Sequence, residues 1–445
     1  MVSETTPTPP DPAAILRSKD FVRLLVLAAV VGVLVSLASW AFLELVHRTQ
    51  VGVFTNLPSG LGFSEPPWWW PLPILALAGL PTAFAIERLP GKGGHLPANG
   101  LQPGAAEPNM LPGIALAAFA TLSLGLVLGP EAPLIAMGSG LAAFTVKQVK
   151  KDAPPQLVVV VGAAGAFAAV SVIFGSPIVA AILMIEATGL GGATLSLVLI
   201  PGLIAAGVGS LVFIGMSDWT GLSTSAYSLA PLHLPLFTRP TWTEIGWTIA
   251  IGIGAAILTM PIRRLGLAVA GFAPKKPFVI LPAIGLMVAV IAVVFDQITG
   301  KGADQVLFSG QDALPGLVAN ASAWSVGALI LLFLFKGLAW GLSLGSFRGG
   351  PTFPAILLGA AAGIAMSHLP GMPLTPAVAV GMGAMVASFL KLPLSAIVIA
   401  TALTVTGGSG SVPLIIIGVI VAYLATLGLE GRLGAANAEP SAEPA

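Results

Sequence analysis

After one long apolar run at 21–46, the hydrophobic segments of this chain are short and repeatedly cut by Gly and Pro, around 71–86, 112–125, 133–146, 157–174, 177–188 and 193–213. A bilayer core of about 30 Å asks for ~20 helical residues, so several of these segments cannot cross by themselves. They must tilt, pair end to end, or stop at mid-membrane. Broken helices are tolerated at that depth only where they line a polar cavity inside the protein. Composition supports the membrane reading: 56% of the 445 residues are hydrophobic and 8% charged, against roughly 25% charged in a soluble domain. With 54 Gly and 38 Pro, the expectation is an all-α polytopic membrane protein with broken and re-entrant helices.

A net charge of +1 gives no bulk electrostatic pull toward nucleic acid, and the absence of cysteine removes disulfides, thiolate metal sites and cysteine nucleophiles. The four histidines, His47, His95, His233 and His368, are scattered, so neither a metal nor a cofactor is expected. No Ser/His/Asp grouping or paired carboxylate falls within an apolar segment, which argues against an enzyme. Residues 1–20 are polar and proline-rich and read as a disordered tail, with no cleavable signal peptide. Arg17, Lys19 and Arg23 flank the first span, which places the N-terminus in the cytoplasm of a multi-pass cell-membrane protein. Residues 430–445 read as a second disordered tail, and both termini are expected to be cytoplasmic.

The second half repeats the first. "GPEAPLIAMG" at 129–138 aligns with "GPTFPAILLG" at 350–359, an offset of 221 residues. "SPIVAAILMIEAT" at 176–188 faces "LPLSAIVIATALT" at 392–404 with an offset of 216, and "GAFAA" at 165–169 resembles "GAMVA" at 383–387. The expected organisation is a first transmembrane half at 21–215, a polar link at 216–244, and a second transmembrane half at 245–429. In such duplicated folds, helix starts from the two halves meet near the midplane.

Within the first repeat, Glu131 lies in an apolar run that has no basic residue from Leu111 to Phe144. A helix N-terminus leaves its first backbone N–H groups unpaired and carries roughly +0.5 charge. Gly followed by Pro lets the chain turn sharply and aim those donors at a ligand. If 129–133 and 349–354 both start helices at one point, the amides of Glu131, Ala132, Thr352 and Phe353 converge on an anion site without fixed cations. Such dipoles attract an anion without a deep trap, as fast conduction requires. Glu131 then acts as a tethered competitor for the site: a gate. As a purely structural acid it would face a burial cost of roughly 3 kcal/mol with no base beside it.

These residues resemble the CLC family of chloride channels and chloride/proton antiporters over about 21–429. "LGPEAPLI" is similar to the family's "GREGP" motif, with the gating glutamate at Glu131. "SFRGGPTFPAILLGAAAG" is similar to "GGxFxP", with Gly349, Gly350 and Pro354 in register, and "GHLPANG" takes the place of "GSGIPE". "FGSPIVAAILMIEAT" resembles the segment after the gate, with Glu186 as its first acid, and Lys336 sits where many members carry a basic residue. The resemblance implies a homodimer in the bilayer with one pore per subunit, each subunit an inverted repeat, moving chloride or another small inorganic anion and in some members protons. It implies an anion site at Gly94, Gly129, Pro130, Ala132, Gly350, Pro351, Thr352 and Phe353.

Four departures stand out. Pro130 replaces the family's Arg before the glutamate, and Gly94 replaces the serine whose hydroxyl contacts the central anion. The C-terminal tyrosine has no counterpart, since the tyrosines are Tyr227 and Tyr423. Pro351 stands where a backbone N–H normally helps bind the ion, and proline has none. Thr352 offers a hydroxyl in partial replacement.

Coupled members usually carry a second acid directly after the position of Glu186, though some antiporters manage without it, and here that position is Ala187. Alanine cannot relay a proton, so passive conduction is the expectation, with chloride/proton antiport through Glu186 as the alternative. A secondary carrier for an organic acid would use the same helix-end logic.

Overall fold

The computed structural model describes residues 16–102, 104, 106–222, 224 and 228–436. Most of both expected tails, and Tyr227, lie outside these. The first half contains α1 (Lys19–Val51), α2 (Pro71–Arg88), α3 (Leu111–Ser123), α4 (Glu131–Val149), α5 (Pro155–Phe174), α6 (Pro177–Thr188) and α7 (Gly192–Thr220). The second contains α8 (Trp242–Ala270), α9 (Pro277–Thr299), α10 (Ala313–Ala319), α11 (Val326–Ser346), α12 (Thr352–Ser367), α13 (Leu374–Leu390), α14 (Pro393–Leu403) and α15 (Val412–Ala436). The protein is all-helical, and among the described residues seven helices are long and apolar enough to cross a membrane. Shorter apolar helices such as α6, α12 and α14 fill the interior between them.

Local chemistry explains where the helices begin. Ser18 caps α1, its hydroxyl accepting from Phe21 N at 3.1 Å. Thr241 and Glu244 form a reciprocal capping box at the start of α8. Proline occupies the first helical turn of α2, α3, α5, α6, α9 and α14, where its missing N–H would be unpaired in any case. Val22, Val26, Val30 and Leu34 on α1 stay exposed while Ala28, Val31 and Val35 are buried. One stripe of this helix therefore faces the surroundings and the other faces protein, as an apolar solvent permits.

The two halves repeat in three dimensions. In the first, α4 crosses α5 so closely that a Cβ added to Gly138 would overlap the carbonyl of Gly165; in the second, α12 crosses α13 so that a Cβ on Gly359 would overlap the carbonyl of Gly381. Close backbone approach through small residues is how helices associate where no hydrophobic drive exists between them. The spatial equivalent of Gly165 is thus Gly381, keeping the 216-residue offset, and not Gly383 as the short "GA" match implies. Gly383 faces Val419 and Ala400 instead.

The 216–244 stretch starts inside α7 and ends in the first turn of α8. Between them the chain is irregular and ties the halves together, with Leu229 N donating to Ile173 O at 3.0 Å, Leu232 N to Leu403 O at 2.7 Å and Phe237 N to Gly407 O at 2.8 Å. At the other end α15 continues through Ala436, past the boundary expected at 429. Its Glu430 pairs with Arg263 of α8 and, at 2.5 Å, with Lys391 after α13, which anchors the helix end.

Putting a branched side chain at the α12–α13 crossing has a predictable cost. Gly381→Val is expected to destabilise the protein by about 2 kcal/mol, seen as a lowered melting temperature in detergent. Gly428→Val, in open space, should melt like wild type.

Candidate anion site and its gate

Gly129 and Gly350 exchange backbone hydrogen bonds, N to O at 2.7 Å in one direction and 2.6 Å in the other, forming an isolated antiparallel bridge. These two glycines are repeat equivalents, and an antiparallel pair of equivalent residues has a local two-fold axis between its strands. The inverted repeat is therefore joined at this bridge. Two residues beyond it on each side a helix begins, α4 at Glu131 and α12 at Thr352, with Pro130 and Pro351 as the N-cap residues. The proline φ and ψ values nearly coincide, −82° and −10° at Pro130 against −90° and −10° at Pro351. Because neither proline has an N–H, the first amides each tip can offer belong to Glu131 and Ala132 on one side and to Thr352 and Phe353 on the other.

The Glu131 side chain occupies the junction. It is fully buried, and its Oε1 accepts a hydrogen bond from Thr352 N at 2.5 Å. Its Oε2 and the buried Thr352 hydroxyl have no hydrogen-bond partner among the described residues. A Cβ on either Gly129 or Gly350 would run into the carboxyl group. Glycine at both positions is what leaves room for it. Phe353 seals one side by stacking on Phe174, centroids 5.7 Å apart. A carboxylate thus rests on a helix-tip amide, in a buried space with polar groups left over.

Residues 98–427 match the family described as "Voltage gated chloride channel". The chain belongs to this CLC family. It is 26% identical over 348 residues to the "Putative ion-transport protein YfeO" of Escherichia fergusonii, covering 77% of this chain and 78% of that protein. The protein of the same name in Salmonella paratyphi A is 26% identical over 360 residues, covering 77% and 80%. Among solved structures, a slow cyanobacterial Cl−/H+ antiporter has the same fold with a TM-score of 0.76 at 20% identity, over 92% of this chain and 95% of that one. A CLC-type fluoride/proton antiporter superposes with a TM-score of 0.70 at 18% identity, over 92% and 96%. The protein is an integral multi-pass membrane protein of a family that transports anions.

In this CLC chain a small cavity lies beside the start of α4. Of about 40 Å³, it touches Pro130, Leu128 and Leu122 and is rimmed by His47, Gln50 and Asp312. The last three also line a vestibule of about 470 Å³ that extends to Asp304 and Trp324. Enclosure here raises the Asp312 carboxyl above its ordinary pKa, and His47 nearby opposes the rise. Lys336 shapes the wall. Fully buried on α11, its ammonium donates to the carbonyls of Gln305 (3.1 Å), Val306 (3.1 Å), Leu307 (2.9 Å) and Phe308 (3.3 Å), fixing the turn that lines the vestibule.

The structure brings Gly129, Pro130, Glu131, Gly350, Pro351, Thr352 and Phe353 together, with Ala132 in the next position along α4. Gly94 stands further along α3, with Ile114 as its side-chain neighbour. Glu186 lies at the far end of α6, where its carboxylate accepts from Leu394 N (2.9 Å), Ser395 N (2.7 Å) and Ser395 Oγ (2.6 Å). It caps the N-terminus of α14, the repeat partner of its own helix. Ala187 beside it is partly buried and carries no polar group. Sequence reasoning passed over Arg348. This residue is buried two positions before Gly350, with its guanidinium on backbone carbonyls and not on Glu131. Sequence position alone left open whether residue 348 turned inward or outward.

A cap role for Glu186 has a measurable signature. Glu186→Gln is expected to lower stability by about 1 kcal/mol through weakened capping of α14, read as a lower melting temperature in detergent. Anion flux in liposomes should stay within about twofold of wild type, because the three cap bonds lie outside the Glu131–Thr352 junction.

Proposed function

We propose that this protein exchanges small inorganic anions, chloride among them, for protons across the cell membrane, with Glu131 as the gate. The observation that carries this reading is the Glu131 carboxylate seated on Thr352 N–H, inside the junction of the two helix tips. An anion and an ionised carboxylate compete for the same donors. A proton on Glu131 removes the charge that holds it there, so each departure of the gate is linked to a proton. The space Glu131 fills is that of one carboxylate group, which favours a small inorganic anion over an organic acid. Chloride/proton and fluoride/proton antiport in the two similarly folded proteins supports coupled exchange over the passive conduction expected from Ala187. The proposed assembly is a homodimer with one pathway per subunit and the N-terminus in the cytoplasm.

Passive conduction remains the second reading, favoured by Ala187 and by the commitment of Glu186 to a helix cap. Liposomes holding an outward chloride gradient and a pH-sensitive dye separate the two. The expected result is proton movement against its own gradient, and a chloride flux with no proton movement overturns coupling. Glu131→Gln is expected to increase anion flux, abolish proton movement and flatten the pH dependence, because a neutral side chain no longer competes for the amide. Wild-type flux and pH response in that variant would remove Glu131 from the gate.

A further inference from the structure

Arg348 carries a charge that the gate geometry leaves unexplained. The residue is only 8% exposed, and its guanidinium meets backbone carbonyls: Nε donates to Lys92 O at 3.3 Å and Nη1 to Phe347 O at 3.1 Å. Among the described residues it forms no ion pair within 4.0 Å, with Glu131 or any other acid, and Nη2 has no acceptor. Buried charges are ordinarily neutralised by a partner of opposite sign, because carbonyl dipoles offset only part of the lost hydration. A largely buried guanidinium without a carboxylate lacks its counter-ion, and its unbonded edge is the part not fully enclosed by protein.

Helix α3 gives a ruler for where that counter-ion would sit. The Arg348 backbone N donates to Thr121 Oγ1 at 3.4 Å, near the end of the helix. Further back, a Cβ on Gly93 would fall 3.0 Å from the Ala117 side chain and 3.3 Å from Arg348 Cγ, and a Cβ on Gly94 would fall 3.4 Å from Ile114. At 1.5 Å per residue, Thr121 to Ala117 is about 6 Å. The side chain therefore runs back along α3 from the gate to the turn at 91–94, away from the small cavity, which touches Leu122. That turn is left-handed at four successive residues, with φ of 75° at Gly91, 49° at Lys92, 74° at Gly93 and 97° at Gly94. The glycine at 93 leaves the space through which the arginine passes.

We propose that Arg348 is a fixed cationic subsite for the transported anion, placed between the Glu131 gate and the Gly93–Gly94 turn. The proposal rests on the anion-transport reading and adds a ligand to it. A small monovalent anion satisfies the free edge of the guanidinium and completes the missing ion pair. The carbonyl bonds of Nε and Nη1 hold the fork in place, so the anion meets a pre-oriented donor set. The same carbonyls temper the charge, which keeps binding weak enough for release.

Crystals of the wild-type protein grown in bromide test this directly. Anomalous scattering is expected to place bromide within about 3.5 Å of the guanidinium. In liposomes, Arg348→Gln should raise the half-saturating chloride concentration by about tenfold or more, whereas Arg348→Lys, which keeps the charge, should stay within about threefold. Absence of bromide density beside Arg348 overturns the proposal, as does a folded Arg348→Gln protein with wild-type chloride dependence. Should the Gln variant not fold, the wild-type bromide map decides. Normal wild-type chloride flux with no bromide at Arg348 removes this subsite and leaves the Glu131 gate intact; absent wild-type flux removes both.

Discussion

Two backbone hydrogen bonds between Gly129 and Gly350 organise the centre of this molecule. Each links one repeat to the other, and together they bring two helix starts to a single point. Irregular backbone inside a membrane protein must satisfy its own polar groups, since lipid offers none. The bridge does this for the residues that approach the junction, and just beyond it Thr352 N is taken by the Glu131 carboxyl. Glycine is required here for space, because the Glu131 carboxyl lies where either side chain would project.

The electrostatics follow from that junction. Helix tips supply partial positive charge, and the Glu131 carboxyl rests on the tip of α12. Among the described residues two basic side chains are buried, Lys336 and Arg348, and they differ in kind. Lys336 is wrapped by four carbonyls of one turn, which accounts for all of its donors and makes it part of the vestibule wall. Arg348 meets two carbonyls and keeps donors unused. Lys336 is thereby fixed as a structural strut, whereas the Arg348 guanidinium has an edge free for a ligand in the proposed subsite.

The second meeting of repeat equivalents lies between α6 and α14. There Glu186 of one repeat caps the helix of the other. Both junctions thus place a carboxylate from the first half on amides from the second, but one is buried and incompletely bonded while the other is partly open and well bonded. The two acids differ in the number of bonds each would lose on leaving, one for Glu131 against three for Glu186.

Much of this was legible in the chain itself. Short apolar runs cut by Gly and Pro required broken helices, the 221-residue offset required a duplication, and Gly-Pro before Glu131 and before Thr352 marked two helix starts. These are local signals, set by backbone stereochemistry and side-chain solubility, and they survive in a single sequence. The register of the second repeat was less clear: Gly383 and Gly381 are both glycines in a small-residue run, and only the crossing of α12 over α13 shows which one is pressed against a carbonyl. Arg348 was in plain view beside its motif, but whether it faced lipid headgroups, solvent or the interior depended on how α3 and the 91–94 turn packed around it. Sequence determined that this protein would bring helix tips and an acid into a membrane. Tertiary structure decided which amide the acid takes and which buried charge has no ion pair, because those depend on contacts between residues hundreds of positions apart.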